Sequence, residues 1–348
     1  MPLGQKFGRS KKMKLPLRIS CKPESLDQGL FGMVFYHAFQ ILPHLYEQKI
    51  FPQWEIRTKH YGDPPDFLTI PGVLDLAYDP PQGPYRTLSL FELRRRHAHV
   101  LGNDWVALNR IWKAYFKVPR RVLDQADAIF PSGSVLGIHY RGTDKQTTSW
   151  DSNPISQQQY LALIRDFLAL RRDFDVIFAA TDEYSFVEQL RRSTSLQVIS
   201  LGEVEFHMAD KHTTTRAEKA DRAMLDCVLL SRCQCVLETS SALPSFAKLL
   251  NPALEIYRCA ASKLFGKLYT KTPYFPVAQI PILPVRSAES AEILRLTMDM
   301  DWTYDLEMKK YQSPFAALPR WPINHAVFSA AEKLGLDRIV ARVAIGHR

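Results

Sequence analysis

The sequence has no apolar run close to the ~18 residues that a membrane span requires. Its basic first residues, Lys6 to Lys14, are not followed by the apolar segment of a signal peptide, so we expect no secretory leader. Cysteine is scarce, with 5 in 348 residues and no paired spacing, which is typical of a reducing compartment. Cys233 and Cys235 are too close for a usual zinc pair. These absences predict a cytoplasmic protein whose cysteines lie in the core.

Motifs for nucleic-acid binding are also absent: nothing resembles a helix-turn-helix, an RNA-binding sheet or a zinc finger. We therefore expect no nucleic-acid partner, although the chain is basic, with 45 Lys and Arg against 36 Asp and Glu and a net charge of +9. An anionic substrate or an anionic lipid surface remains as a reason for positive charge.

Residues 133–257 alternate strand and helix patterns, which predicts a parallel β-sheet with helices on both faces. Pro131 to Gly133 mark its start. The predicted fold class is α/β, with an N-terminal mixed domain over residues 1–130 and a parallel α/β domain over 131–285. The predicted strands are 135–140, 174–180, 196–201, 234–238 and 254–257, and the helices are 155–171, 184–193, 216–231 and 241–250.

The first half of the chain is less regular. We predict strands at 15–20 and 54–61 and helices at 90–101 and 104–116, the last capped by Asn103. Gly29 and Gly32 follow the first strand and suit either a turn that approaches a ligand or an ordinary strand-to-helix turn.

The last part, residues 286–348, reads as a helical segment with helices near 288–300 and 326–344. An apolar stripe on the final helix favours packing against the protein. Contact with a membrane surface is possible because Lys333, Arg338 and Arg342 flank the stripe, but we do not favour it.

The segment 133–151 concentrates ionisable groups after a buried strand. His139, Arg141, Asp144 and Lys145 follow the apolar run Val135–Ile138, and charges at that position are costly without a partner. The carboxyl ends of strands in an open parallel sheet bind ligands, and an arginine with a lysine suits a pyrophosphate. The alternative is a local ion pair between Arg141 and Asp144.

Three motifs in the same order resemble those of GT-B fucosyltransferases. They are GIHYRGTDK from Gly137, Phe178 to Glu183 (FAATDE), and Met224 to Ser231 followed by Cys235 to Ser241. The resemblance is greatest to core α1,6-fucosyltransferases and nodulation-factor fucosyltransferases, and more distant to protein O-fucosyltransferases. It implies two Rossmann-like domains across a cleft and inverting transfer of fucose from GDP-fucose, without a metal or other cofactor, to a glycan or glycoconjugate.

The resemblance also implies roles for the first motif. His139 would contact the nucleotide, Arg141 and Lys145 would neutralise the departing pyrophosphate, and Asp144 would orient Arg141. His139 and Arg141 are two residues apart, so both side chains leave the same face of an extended chain. A buried, hydrogen-bonded core histidine is the other interpretation of His139.

In the later motifs, the resemblance implies that Asp226 recognises guanine, and the alternative is an ordinary polar helix position. Thr239, Ser240 and Ser241 end a strand and open a helix, where hydroxyl and free N–H groups suit an anion or simply cap the helix. Asp182 is conceivable as a metal ligand but is more simply a helix cap.

Two departures from the motifs matter. Gly142 stands where the family has a second arginine, and Ser149 where core-type enzymes have a catalytic glutamate. Asp151 or Asp27 is then the candidate base, with Glu24 a further option. Another nucleotide sugar as donor, or an inactive nucleotide- or sugar-binding module, remains as an alternative function.

Overall fold

A computed structural model describes residues 15–21, 30–56, 73–99, 104–142, 155–201, 216–239, 241–260, 262–264, 267–269 and 280–298. Within these ranges the chain is α/β, and both of its larger sheets are parallel, in agreement with the predicted class. The final predicted helix, 326–344, lies outside the described residues.

The larger sheet has five strands in the order β10-β9-β6-β7-β8, all parallel. This is the order of the first five strands of a dinucleotide-binding fold, in which the chain runs to one side of the first strand and then returns to the other. The sequence placed all five strands to within two residues at each end. They are β6 Val135–Tyr140, β7 Val176–Thr181, β8 Gln197–Ile199, β9 Cys235–Glu238 and β10 Glu255–Arg258.

The N-terminal half contains a smaller parallel sheet in the order β2-β1-β4. Two short antiparallel pairs accompany the large sheets, β3 with β5 and β11 with β12. The strands are β1 Leu17–Cys21, β2 Gln53–Ile56, β3 Asp75–Leu76, β4 Arg86–Ser89, β5 Phe116–Lys117, β11 Ser262–Leu264 and β12 Lys267–Tyr269.

Nine α-helices lie in the described ranges, and a π-helix (Gly32–Ala38) and a 3₁₀ turn (Phe39–Ile41) lead into the first. They are α1 Leu42–Glu47, α2 Leu90–His97, α3 Trp105–Tyr115, α4 Arg120–Ile129, α5 Gln157–Leu170, α6 Tyr184–Ser193, α7 Arg216–Arg232, α8 Ala242–Leu250 and α9 Ala288–Met298.

Side-chain caps fix where several helices begin. Ser156 and Gln159 form a reciprocal capping box at α5, and Ser89 with Glu92 does the same at α2. The cap of α3 is Asp104, whose carboxylate accepts the N–H of Ala107. The prediction of Asn103 as this cap was therefore wrong by one residue, because a carboxylate at the next position can reach the free N–H groups of the first turn.

Two apolar clusters cover the opposite faces of the large sheet. One packs α5, α6 and α9 against residues such as Leu136 and Ile138. The other packs α7 and α8 against the opposite face and continues into the N-terminal half. Gly137 faces this second cluster, where a Cβ atom would lie 2.8 Å from Val236 Cγ2 and 2.9 Å from Leu230 Cδ2. Glycine is therefore required there for strand and helix to approach closely.

The halves of the chain are joined by packing and by buried hydrogen bonds. Asn109 on α3 donates to the carbonyls of Leu249 (2.7 Å) and Leu250 (3.2 Å), the last residues of α8. Trp112 packs edge-on against Phe246, with ring centroids 5.7 Å apart. Because these carbonyls have no partner inside their own helix, Asn109 satisfies groups that would otherwise be buried unpaired.

All five cysteines are buried and reduced, as predicted from their number and spacing. None of the helices in the described ranges is both long enough and apolar enough to cross a membrane.

Candidate functional site

The candidate site lies at the carboxyl ends of β6 and β9, which are neighbours in the sheet but far apart in sequence. The chain changes direction across the sheet between these two strands. Loops leaving such neighbours diverge to opposite sides, so a crevice forms between them where ligands bind in open α/β sheets. The first and third motifs therefore end at the topological switch point.

Backbone hydrogen bonds connect these two strand ends. The N–H of Thr239 donates to the carbonyl of His139 at 3.1 Å, and the N–H of Arg141 donates to Thr239 Oγ1 at 3.1 Å. The Tyr160 hydroxyl on α5 donates from the other face to the carbonyls of His139 (3.1 Å) and Leu237 (2.8 Å). The position of Arg141 is thus fixed by residues almost 100 positions later in the chain.

The second motif meets the first on the other side of β6. Asp182 Oδ1 accepts the N–H of Gly142 at 3.2 Å. The N-cap residue of α6 is Glu183, whose side chain makes no capping hydrogen bond. The interpretation of Asp182 as a helix cap was wrong. The aspartate instead holds the loop after β6, because strand pairing places Thr181 opposite Tyr140 and brings the two loops together.

His139 is buried, and its Nδ1 makes no hydrogen bond within the described residues. Burial, with a further contribution from the positive charge of Arg141, lowers the pKa of His139 to about 3. The imidazole is therefore neutral at physiological pH. A buried ring nitrogen without a partner is uncommon in a core histidine, so contact of His139 with the nucleotide stays a prediction.

A row of buried polar side chains extends from His139 across the sheet. Strand pairing places His139 opposite Glu238, and Glu238 opposite Arg258. Residues in register on parallel strands point to the same face, so all three side chains point toward the face covered by α7 and α8. Sequence reasoning missed Glu238 and Arg258. The available signal was a charged residue at the last position of each of two strands, Glu238 after three apolar residues in Cys235–Glu238 and Arg258 after Ile256 and Tyr257 in Glu255–Arg258.

Asp226 lies on α7 and is almost fully buried. Its Oδ2 lies 3.4 Å from Arg222 Nε, one turn earlier, and its Oδ1 accepts no hydrogen bond within the described residues. Burial raises the pKa of Asp226 to about 6, and Arg222 opposes that shift. A half-satisfied carboxylate with a shifted pKa is a feature of functional sites more than of an ordinary helix position.

The hydroxyl groups after β9 have structural partners. Ser241 caps α8 by accepting the N–H of Leu243 at 3.4 Å, and Thr239 accepts the N–H of Arg141. The capping interpretation of Ser241 is confirmed, and its role toward an anion stays a prediction. Ser240 lies outside the described residues.

Gly142 is closely covered by Glu183. A Cβ atom at position 142 would collide with the Glu183 carboxylate, which also accepts a hydrogen bond from Gln157 on α5. An arginine at position 142 would require Glu183 to move. Where the fucosyltransferase motif has a second arginine, this chain therefore has a glycine with an acidic side chain in the adjacent space.

The remaining predicted site residues fall mostly outside the described ranges. These are Asp27, Gly29, Asp144, Lys145 and Asp151, and their roles stay predictions. Gly32 is described, and it opens the π-helix Gly32–Ala38 instead of lying in a loop as predicted. The apolar residues that follow it draw the chain into the core as helix from Leu30 onward.

No group of three or more His, Cys, Asp or Glu side chains in the described part of the chain is arranged to hold a metal ion. Asp182, which the sequence suggested as a conceivable metal ligand, accepts a hydrogen bond from the backbone N–H of Gly142.

No protein-family model matches the chain, and no curated protein matches its sequence. Among solved structures, the chain is similar to NodZ α1,6-fucosyltransferase soaked with GDP-fucose, with 16% identity over 69% of this chain and 94% of that one and a TM-score of 0.45. It is also similar to fucosyltransferase NodZ from Bradyrhizobium, with 16% identity over 69% of this chain and 94% of that one and a TM-score of 0.44.

A further similarity is to POFUT1 in complex with GDP-fucose, with 10% identity over 70% of this chain and 97% of that one and a TM-score of 0.41.

Proposed function

We propose that this protein is a glycosyltransferase that transfers fucose from GDP-fucose to a glycan or glycoconjugate acceptor by an inverting mechanism without a bound metal. In this proposal residues 131–285 bind the donor, residues 1–130 form the acceptor side, and the two face each other in a GT-B arrangement. The chemistry requires neutralisation of the departing diphosphate and removal of a proton from the acceptor hydroxyl.

The observation that carries the proposal is that three distant motifs meet at the carboxyl end of β6, beside the switch point. Arg141 bonds Thr239, and Gly142 bonds Asp182, so residues from the first motif contact both later motifs directly. An apolar sheet could be built without these polar residues at its edge. Their convergence at the position where open α/β sheets bind ligands supports a donor site.

Each role in the proposal follows from charge and position. The charge of Arg141, joined by Lys145, neutralises the diphosphate, and a neutral His139 contacts the nucleotide without competing for that charge. Asp226 offers a free carboxylate oxygen to the N–H groups of guanine. The base is Asp151 or, from the N-terminal half, Asp27.

The decisive experiment is calorimetric titration of the full chain with GDP, GDP-fucose, GDP-mannose and UDP-glucose. We expect GDP and GDP-fucose to bind in preference to the others. Failure of GDP-fucose to bind, with binding of UDP-glucose, would refute the donor assignment.

The arginine role is tested by substitution. Arg141→Ala should lower kcat by on the order of 10²-fold or more, and Arg141→Lys should recover little, because an ammonium cannot replace a planar fork. Arg171→Ala is the matched control, since Arg171 pairs with Asp173 and with Glu255, the residue at the amino end of β10. Near wild-type kcat in Arg141→Lys would contradict the diphosphate role.

A second candidate function is a nucleotide-binding module, or a transferase for another donor. The observation that favours it is Glu183 above Gly142, which places negative charge where the family has an arginine. If this candidate is right, the chain binds nucleotide and Arg141→Ala weakens that binding. GDP-fucose is then neither transferred to an acceptor nor hydrolysed.

A further inference from the structure

The polar row at the edge of the sheet includes a cation that the motif resemblance does not assign. Arg258, the last residue of β10, is buried at 6% exposure, and its Nε and Nη1 make no hydrogen bond within the described residues. An arginine removed from water without hydrogen-bond partners is costly, so the fold retains this one at a free-energy penalty unless another group pairs with it.

Glu238, the acidic side chain on the neighbouring strand, does not satisfy Arg258. The two residues are opposite each other in the strand pairing, yet neither oxygen of Glu238 accepts a well-formed hydrogen bond from the described residues. Burial raises the pKa of Glu238 well above its usual range, with Arg258 and the N–H of Ser241 opposing the shift. A protonated Glu238 would leave the charge of Arg258 uncompensated.

We propose that Arg258 is a second diphosphate-binding arginine of the donor site and supplies the positive charge that Gly142 omits. The inference rests on the proposed function and extends it to a residue of β10. Its side chain leaves the same face of the sheet as His139, with the Cα atoms two strand spacings, about 10 Å, apart.

The position of Arg258 suits this role for a physical reason. Its strand, β10, lies on the far side of β9 from β6, whereas the space above Gly142 is occupied by Glu183. A diphosphate between Arg141 and Arg258 would be held from both sides of β9, near the free N–H groups at the start of α8. The neighbouring Glu238, when protonated, can donate one hydrogen bond to a phosphate oxygen.

The test compares variants in which the buried pair is replaced by neutral groups. Glu238→Gln is the reference, and Arg258→Gln is introduced in that background so that two amides face each other. Arg171→Gln removes the same charge near the amino end of β10 and is the control. Each full-length variant is titrated with GDP and with guanosine, after its thermal unfolding has been recorded.

We expect the double variant to bind GDP at least tenfold more weakly than Glu238→Gln, with guanosine affinity unchanged and with Arg171→Gln equal to wild type. Equal GDP affinity in the double variant and its reference would overturn the proposal and leave Arg258 as a structural partner of Glu238. If the double variant is unfolded, the single variant Arg258→Lys is titrated with GDP and guanosine in its place. A decrease of threefold or more in the affinity for GDP, with the affinity for guanosine unchanged, supports the proposal. An unchanged affinity for GDP overturns it.

A parallel series with UDP and uridine separates this inference from the function proposed above. A wild-type chain that binds UDP but not GDP refutes the GDP-fucose assignment, while the Arg258 variants still decide the diphosphate role. A wild-type chain that binds neither GDP, UDP nor inorganic pyrophosphate overturns both.

Discussion

Protonation of Asp226 should weaken guanine binding below pH 6. The carboxylate is buried on α7, its pKa is raised to about 6 by burial against the opposing effect of Arg222, and Oδ1 has no hydrogen-bond donor within the described residues. Guanine presents two adjacent N–H groups, which require an ionised carboxylate as acceptor. A proton on Asp226 therefore competes directly with the base.

The size of the effect follows from the pKa. If only the ionised form binds, affinity changes by the factor 1 + 10^(6−pH), which is about 1.1 at pH 7 and about 11 at pH 5, or ~1.4 kcal/mol. His139 does not contribute in this range, because its pKa of about 3 keeps it neutral. Glu238 also has a raised pKa, so the titration is repeated in Glu238→Gln.

The assay is calorimetry with guanosine between pH 5 and pH 8, since a terminal phosphate titrates near pH 6 and would add its own slope with GDP. Wild type should lose about tenfold in affinity between pH 7 and pH 5. Asp226→Asn should bind weakly at every pH, with no slope. An equal pH dependence in Asp226→Asn and wild type would refute the assignment of this carboxylate to guanine.

The same pKa predicts an opposite effect on the free protein. Because the folded-state pKa of Asp226 lies above its unfolded value of 3.8, its favourable contribution is present below pH 3.8 and lost as the pH rises through 6. Asp226→Asn should therefore stabilise the ligand-free fold at pH 7, by about 3 kcal/mol, and by less at pH 4. Unchanged thermal unfolding at pH 7 would contradict the raised pKa.

Three further outcomes are expected. Transfer activity should survive EDTA, because cationic side chains take the part of a divalent ion; loss on chelation with recovery on adding Mn²⁺ would restore Asp182 as a ligand candidate. Of the two candidate bases, we favour Asp151 over Asp27. Substitution of the true base by Asn should lower kcat and leave the affinity for GDP unchanged. Normal turnover in both the Asp151→Asn and the Asp27→Asn variants would exclude both residues as the base. Gly137→Ala should lower the free energy of unfolding by about 1–3 kcal/mol through overpacking, and an unchanged unfolding midpoint would show that the facing side chains move at no cost.

Much of the large sheet was predictable because its strands are buried on both faces. Continuous apolar runs such as Val135–Tyr140 and Val176–Thr181 are bounded by loop residues, so their limits are visible in the sequence. The helix Arg120–Ile129 was missed, although Val122 and Ala126 share its buried face at helical spacing. Pro119 before it and the charged residues within it resembled a connecting loop.

The sequence also identified the candidate groups for the chemistry. His139 and Arg141 stand out because charges directly after a buried strand need a partner, and Asp226 and the stretch after β9 were found by resemblance. The sequence could not show which carbonyls, amides and carboxylates these groups would meet. Asp182 illustrates the limit: a helix start follows it, but its actual partner is the N–H of Gly142, 40 residues earlier.

By itself, the amino-acid sequence determined the alternation of strands and helices, the parallel class of the sheet and the order of its polar motifs, because these depend on local patterns of burial and charge. Only the tertiary structure decided that β6 and β9 are neighbours, and hence that Arg141 bonds Thr239 and that His139, Glu238 and Arg258 form one row. Strand order depends on the packing of helices between distant segments, and no local pattern contains that information.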